Sequence, residues 1–483
     1  MAKTLFNSSE KSNFILNMTE EQYAKITSYG LFAACVLVPL FTIIPESFST
    51  ATYTFASGGL VIAGVFCMIT AFISLIKKYL NGGTVIPVCA FAAMLVLSVI
   101  SAADSYDFAV GFYGYPQRGE GVMAIMFYCS IFVSAASIKL ETAVNTLLKG
   151  ITAAGIINSV WALIQVFNGS IGKYLMISLE IKSYSASGLA QSPLFLAMLL
   201  TLSLTAALIS AVKSTSAKGK VIYTASAALF AFAMMFTYSF IGICGTVLSV
   251  VIAAAAVFVM KADKKNILIA AVPAAAAVLA VILVCSGNIG TLKTYKLYDG
   301  RQLWWADSYM RAGASGDFNS DVVDIDNTKD VYLYLNQKSM DIASRFPLTG
   351  TGPDQLVYPQ LYTFGTLDAE SEMTDVIIQN RGTFDKVYNE YIYTAATRGI
   401  PSLIALLAVI IPSLYMSFKA MKKRRSGEST ALFMLTMCGA LVFLIGCSNI
   451  AYSPIYWAIA GLACASLKKQ KAEEKKDKKE SSK

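Results

Sequence analysis

The chain contains no histidine. That removes the usual general base near neutral pH and the commonest transition-metal ligand, so any catalytic reading must work without it. The polar side chains that remain concentrate in one excursion, from about Ser286 to Arg398, lying between two sets of apolar segments. It carries about half of the 30 acidic residues, Trp304 and Trp305 of the four tryptophans, and several arginines. Any chemistry is expected here or in the membrane cavity beneath it. The nine cysteines fall inside or at the edge of apolar segments, and they offer neither a disulfide framework nor a Cys-rich zinc site. The acidic run from Asp317 to Asp326 lacks the ordered spacing and central glycine of a calcium loop. No metal and no cofactor is expected.

The elements that must position these residues are apolar. With 56% hydrophobic and 14% charged residues and a mean hydropathy of +0.58, the 483-residue chain reads as a polytopic membrane protein. The net charge of +9 does not indicate nucleic acid, because the basic residues lie in short clusters between apolar runs and in the tail. About twelve runs are long enough to cross a bilayer: 27–45, 54–76, 84–102, 121–138, 146–167, 190–212, 220–237, 240–260, 266–285, 399–418, 430–447 and 450–467. The weakest boundary is the short turn at Thr237–Gly242. Lysine and arginine clusters at Lys77-Lys78, Lys139 with Lys149, Lys213–Lys220, Lys261–Lys265 and Lys419–Arg425 alternate with acidic or neutral loops. The positive-inside rule then places both termini in the cytoplasm and the excursion outside, in a multi-pass plasma-membrane protein. Asp, Glu, Lys and Arg are nearly absent at mid-membrane depth, which argues against an ion-coupled transporter.

The chain therefore divides into a cytoplasmic N-terminal segment (1–26), nine spans (27–285), the outer loop (286–398), three spans (399–467) and a basic cytoplasmic tail (468–483). In the first segment, Thr19-Glu-Glu-Gln22 has capping-box spacing and predicts a short surface helix leading into the first span, with a disordered leader as the alternative. Segment 1–26 is too polar for a signal peptide. The tail is low-complexity and reads as solvated, with the anionic lipid surface as a further contact. The outer loop shows helical spacing over 300–310 and 331–344, followed by a turn-rich segment at Phe346–Pro353. The fold class is all-α, with a partly helical outer loop before the last three spans.

Four elements occur in order: Arg301-Gln-Leu-Trp304, Pro347-Leu-Thr-Gly-Thr-Gly-Pro-Asp354, Tyr388-Asn-Glu-Tyr-Ile392 and Gly399-Ile-Pro-Ser-Leu403. They resemble the O-antigen ligase and polymerase superfamily, with its Arg-x-x-x-Trp-like element, its Pro-Leu-x-Gly-x-Gly-Pro turn and its His-Asn-x-x-Leu element opening the next span. Upstream, Arg118-Gly-Glu-Gly121 is similar to the Arg-Tyr-Glu-Gly of Gram-positive relatives, and Thr237-Tyr-Ser239 sits where the family has Thr-x-Ser-Arg. The similarity covers roughly 100–467.

The resemblance implies metal-independent glycan transfer or polymerisation from a polyprenyl-diphosphate-linked oligosaccharide onto a glycan or other surface acceptor. Such a reaction needs fixed arginines on the diphosphate, a base or tight positioning for the acceptor hydroxyl, and aromatic faces for the sugars. Arg301 and Trp304 match the family elements, and Arg118, Arg345 and Arg381 are further candidates for substrate contact. Arg311 and Arg398 are alternatives for the phosphate. Tyr388 stands at the family's histidine and Phe240 at its membrane-edge arginine. Since a tyrosine is a poor base near neutral pH, Asp385 and Glu390 become the candidate bases, with Tyr388 lining the site. Asn389 either touches substrate or caps the helix that follows. Gly350 and Gly352 shape the turn, and Arg118 with Glu120 reads as an exposed ion pair. Two rivals stand beside the enzyme: a catalytically degenerate glycan-lipid-binding assembly protein, and a lipid-linked oligosaccharide flippase.

Overall fold

The structure, a computed structural model, describes residues 18–40, 58–80, 82–115, 118–138, 142–167, 186–190, 192–237, 239–286, 328–356 and 386–467. Among these the chain is helical throughout, without strands. Fourteen α-helices follow in order: α1 (Glu20–Leu40), α2 (Gly58–Ile76), α3 (Gly82–Ala103), α4 (Phe108–Tyr113), α5 (Val122–Ala136), α6 (Thr142–Phe167), α7 (Pro193–Lys213), α8 (Ala217–Met235), α9 (Phe240–Val259), α10 (Leu268–Ser286), α11 (Thr328–Arg345), α12 (Glu390–Arg424), α13 (Gly427–Val442) and α14 (Ser453–Ala465). Among the described residues, eight helices are long and apolar enough to cross a membrane, and α5, α13 and α14 are shorter apolar helices. The protein is therefore a multi-pass membrane protein.

The capping box at the start of α1 forms as its spacing requires. Gln22 N donates to Thr19 Oγ1 (3.2 Å) and Thr19 N donates to Gln22 Oε1 (3.0 Å). The helix expected to lead into the first span is continuous with it, α1 running unbroken from Glu20 to Leu40. The turn at Thr237–Gly242 is real: α8 ends at Met235, and Ser239 caps α9 by accepting from Ile241 N (3.2 Å). Phe240 opens α9 and is partly exposed.

The hub of the bundle is α7, whose residues from Pro193 to Val212 are all buried. Its composition explains this, since a helix that is apolar all round has no side suited to water. Lipid gives no hydrophobic drive for helix association, so close approach and interhelical hydrogen bonds must hold the contacts. Thr205 Oγ1 donates to Ser249 Oγ (2.9 Å) on α9, and Ser203 Oγ donates to Ile151 O (3.1 Å) on α6.

The element that organises the site is α12. Its 35 residues bend at Gly399 (φ 82°, ψ 165°), and Pro401 follows. The bend frees two carbonyls. Pro401 has no N–H to give Thr397 O, and Ile400 N donates instead to Pro347 O (2.8 Å), which releases Ala396 O. Unpaired carbonyls at membrane depth cost several kcal/mol each, on the order of 2–7. The turn after α11 supplies the missing donors: Thr351 N donates to Ala396 O (3.1 Å) and Gly352 N to Thr397 O (2.9 Å). Ser101 Oγ on α3 also donates to Thr397 O (3.1 Å). A β-carbon on Gly399 would collide with Leu348 O, so the close approach needs glycine as much as the dihedral does.

This corrects the loop boundary. Residues 390–398 belong to α12 rather than to the outer loop, which the polar side chains of Glu390, Thr394 and Arg398 had suggested. The helix expected over 331–344 is present as α11 (Thr328–Arg345), and that expected over 300–310 lies outside the described residues.

Candidate functional site

Three irregular segments meet against the start of α12: 114–115 with 118–121, 346–356 and 386–389. The second enters first. Gly350 (φ 67°), Gly352 (φ 105°) and Asp354 (φ 59°) all adopt left-handed conformations, the last tolerable because aspartate visits this region more readily than most residues. The expected turn-shaping role of Gly350 and Gly352 is what the backbone shows. Gln355 locks the turn onto the segment after α3. Its Oε1 accepts from Asp107 N (3.0 Å), and its Nε2 donates to Asp107 O (2.6 Å) and Ser105 Oγ (2.8 Å).

The Asp354 carboxylate is thereby turned inward and buried. Its Oδ2 accepts from Tyr115 N (2.8 Å) and Glu120 N (3.2 Å), and its Oδ1 accepts from Tyr393 OH (3.0 Å). Lys386 Nζ completes the centre. It reaches Asp354 Oδ1 at 2.9 Å and Glu120 Oε2 at 2.7 Å, and donates to Tyr393 OH (2.9 Å), so its three donors have three acceptors. Tyr128 OH donates to Glu120 Oε1 (2.9 Å).

Ser448, in the break between α13 and α14, joins this centre to a second pair. Its Oγ donates to Glu120 Oε2 (3.3 Å) and its N donates to Glu390 Oε2 (2.6 Å). Glu390 Oε1 in turn accepts from Arg398 Nη2 (2.9 Å) and Thr394 Oγ1 (3.0 Å). Glu390, Thr394 and Arg398 are spaced four residues apart and therefore share one face of α12.

Three carboxylates and two cations thus lie in one buried network. Burial pushes the Glu120 carboxyl above its ordinary range, with the neighbouring Asp354 adding to the effect against the pull of Lys386. For Asp354, burial works upward, but Lys386 and the two backbone N–H groups outweigh it and hold the carboxyl below its ordinary value. Burial opposes the charge on Lys386, yet Asp354 and Glu120 hold its ammonium well above the usual lysine range.

The network revises several expectations. Glu120 is not half of an exposed pair with Arg118; it is buried and bound by Lys386, which the sequence places 266 positions away. Arg118 is half-buried, with its guanidinium over the Phe195 ring at 5.4 Å. Asn389 caps α12, its Oδ1 accepting from Tyr391 N (3.0 Å) and Ile392 N (3.2 Å). Tyr388 is fully buried between Lys386 and that cap. Arg345 is exposed in the last turn of α11. Arg301, Trp304, Arg381 and Asp385 lie outside the described residues.

Lys386, Asp354, Tyr393, Tyr128 and Ser448 were not foreseen as site residues. The one available signal was a lysine and an aspartate flanking motif elements in a chain otherwise poor in charge. Among the described residues, no group of three His, Cys, Asp or Glu side chains could hold a metal ion. No protein-family model and no curated protein matches the chain.

Proposed function

We propose that this protein is a membrane glycosyltransferase of the O-antigen ligase and polymerase type, with twelve spans, both termini in the cytoplasm and the site facing outward. It transfers or polymerises glycan from a polyprenyl-diphosphate-linked donor onto a surface acceptor. The observation that carries the reading is convergence. The segments Arg118-Gly-Glu-Gly121 and Pro347–Asp354 are far in sequence from each other and from the α12 segments Tyr388–Ile392 and Gly399-Ile-Pro401, and the charged Glu120, Asp354, Glu390 and the adjoining Lys386 and Arg398 share one buried network. Ionisable groups so deep in an apolar bundle are costly to keep, which favours a functional reason for them.

In this reading Arg301 and Trp304 engage the donor's diphosphate and sugar. A carboxylate, Glu390 or Asp385, accepts the acceptor hydroxyl's proton as that oxygen attacks the anomeric carbon and the diphosphate departs. The network fixes Glu390 in place through Ser448 and Arg398. A second reading, a glycan-lipid-binding assembly protein without turnover, draws support from the ion pairs that already engage Glu120 and Glu390.

Incubating purified protein with a polyprenyl-diphosphate oligosaccharide and acceptor separates the two. The transferase reading expects product from wild type and severe loss in Arg301→Ala. Donor binding without product across several acceptors supports the assembly protein, and absence of donor binding overturns both.

A further inference from the structure

Two short stretches outside the spans carry large apolar side chains on their surface. Tyr106, Phe108 and Tyr113 stand in or just before α4, and Phe346 and Leu348 stand in the turn after α11. Leu348 is 72% exposed and Phe108 56%. The Phe108 and Phe112 rings stack with centroids 5.9 Å apart, and Tyr113 meets Phe112 edge-on at 5.1 Å, so the aromatic groups form one surface. Apolar surface gathered in this way, rather than scattered singly, marks a place of contact.

The two stretches adjoin. Thr349 Oγ1 donates to Asp104 Oδ2 (2.7 Å), and Gln355 bonds both Ser105 and Asp107. Together they make a rim, and the helices beneath fix its height. Ser101 Oγ, near the end of α3, donates to Thr397 O, while Ile400 N donates to Pro347 O beside the bend of α12. Past the bend, exposed Ile400 and Ile404 continue the apolar surface on α12, as Val99 and Ile100 do on α3. From Ile400 to the exposed Lys419 the helix rises about 28 Å, taking about 1.5 Å per residue. That is close to the roughly 30 Å of a bilayer's hydrocarbon core. The rim therefore stands at the edge of that core. Its composition suits this level, since aromatic and aliphatic groups lie beside the exposed, charged Asp104 and Arg345.

We propose that this rim is inserted in the lipid leaflet at the network's end of the bundle, with Phe108, Tyr113, Phe346 and Leu348 among the headgroups and the first acyl carbons. The partner is the bilayer itself. The rim continues a surface that already faces lipid, and it reaches the depth at which interfacial elements lie, about 5–10 Å into the headgroup and acyl boundary. Lipid thereby anchors both the segment that leads to Glu120 and the turn that holds Asp354. The buried network hangs from two anchored segments just behind the headgroups, and neither is a loop standing in water. The inference does not require that glycan be transferred.

The test uses the full-length protein in nanodiscs of phosphatidylcholine whose acyl chains are brominated either near the headgroup or near the methyl end. Phe108→Trp and Leu348→Trp place a fluorescent reporter in each stretch. Ile411→Trp, at an exposed position about 17 Å beyond Ile400 on α12, places one near mid-bilayer. Each spectrum is read after subtracting that of wild type, which carries Trp161, Trp304, Trp305 and Trp457. Phe346→Trp replaces either rim variant that fails to fold. Both rim reporters should lose most of their emission to bromines near the headgroup and little to aqueous acrylamide. Ile411→Trp should respond most to bromines near the methyl end.

Rim reporters quenched by acrylamide and by neither brominated lipid would overturn the proposal, because the rim would then stand in water. Quenching by neither agent would overturn it too, since another part of the protein or a second copy would cover the rim. Acrylamide quenching relieved by a soluble oligosaccharide would make the aromatic surface a glycan platform instead. Rim reporters that follow Ile411→Trp, responding most to the bromines near the methyl end, would refute the assigned depth. Quenching of only one stretch would refute the shared rim.

Discussion

Replacing Lys386 by methionine tests whether the buried network holds the three irregular segments together. The side chains of Lys386, Glu120 and Asp354 are 1%, 4% and 0% exposed, so water cannot take over the lost contacts. Lys386→Met removes three donated bonds, leaves two carboxylates facing each other without a cation, and strips Tyr393 OH of its donor. Breaking a buried pair by removing one partner costs about 3–5 kcal/mol. Two carboxylates share this lysine, which pushes the cost to the upper end, but Glu120 can limit it by taking up a proton. The expected loss is about 4 kcal/mol, seen as a fall in unfolding temperature on the order of 4 °C for a chain of this length. The assay is thermal unfolding of purified protein in detergent, followed by tryptophan fluorescence. The control is the triple change Lys386→Met, Glu120→Gln, Asp354→Asn, which removes the unpaired charges and should regain most of the loss. A single variant as stable as wild type would show that the network contributes nothing to holding the segments. A triple variant no better than the single would show that the cost comes from lost packing, not from stranded charge.

The pH dependence of the network has a definite sign. Glu120 is held above its ordinary value of 4.5, so the folded state binds this proton more tightly than the unfolded state. Its contribution is favourable at low pH and is lost as pH rises through the folded pKa. The stability difference between wild type and Glu120→Gln should therefore shift toward wild type as pH falls from 7 to 5. A difference that moves the other way would refute the burial argument. Asp354 has the opposite sign, its contribution fading only as pH falls below about 3.8, whereas Lys386 has the same sign as Glu120 and its contribution fades only above about 10.5. For Asn389→Ala, loss of the cap should cost about 1 kcal/mol, with Asn389→Asp restoring stability. If alanine instead abolished substrate binding with stability unchanged, the capping role would not be what Asn389 contributes.

Much of the fold could be read from the chain because apolar length is a local property. The capping box at Thr19, the turn before Phe240, the cap at Asn389 and the helix over 331–344 all depend on neighbours within a few residues, and each is present. The start of α12 could not be read this way. Glu390, Thr394 and Arg398 look like loop in any hydropathy window, yet at four-residue spacing they satisfy one another on a single helical face. The network was still less accessible. Glu120 and Lys386 meet only because 346–356 fills the gap left by the bend in α12, and nothing near either residue announces the other.

That origin bears on how charge in the membrane should be interpreted here. The scarcity of ionisable residues along the apolar runs argues against an ion pathway, and the structure gathers those it has at interruptions in the helices: the segment before α5, the turn after α11, the residues before α12 and the break before α14. Irregular backbone is tolerated in lipid only where protein shields it and pairs its polar groups, and Asp354 does so by accepting from two backbone N–H groups while answering Lys386. A cation whose donors are all occupied is structural scaffolding, whatever its depth. Lys386, with each ammonium donor placed on an acceptor, maintains the shape of the site.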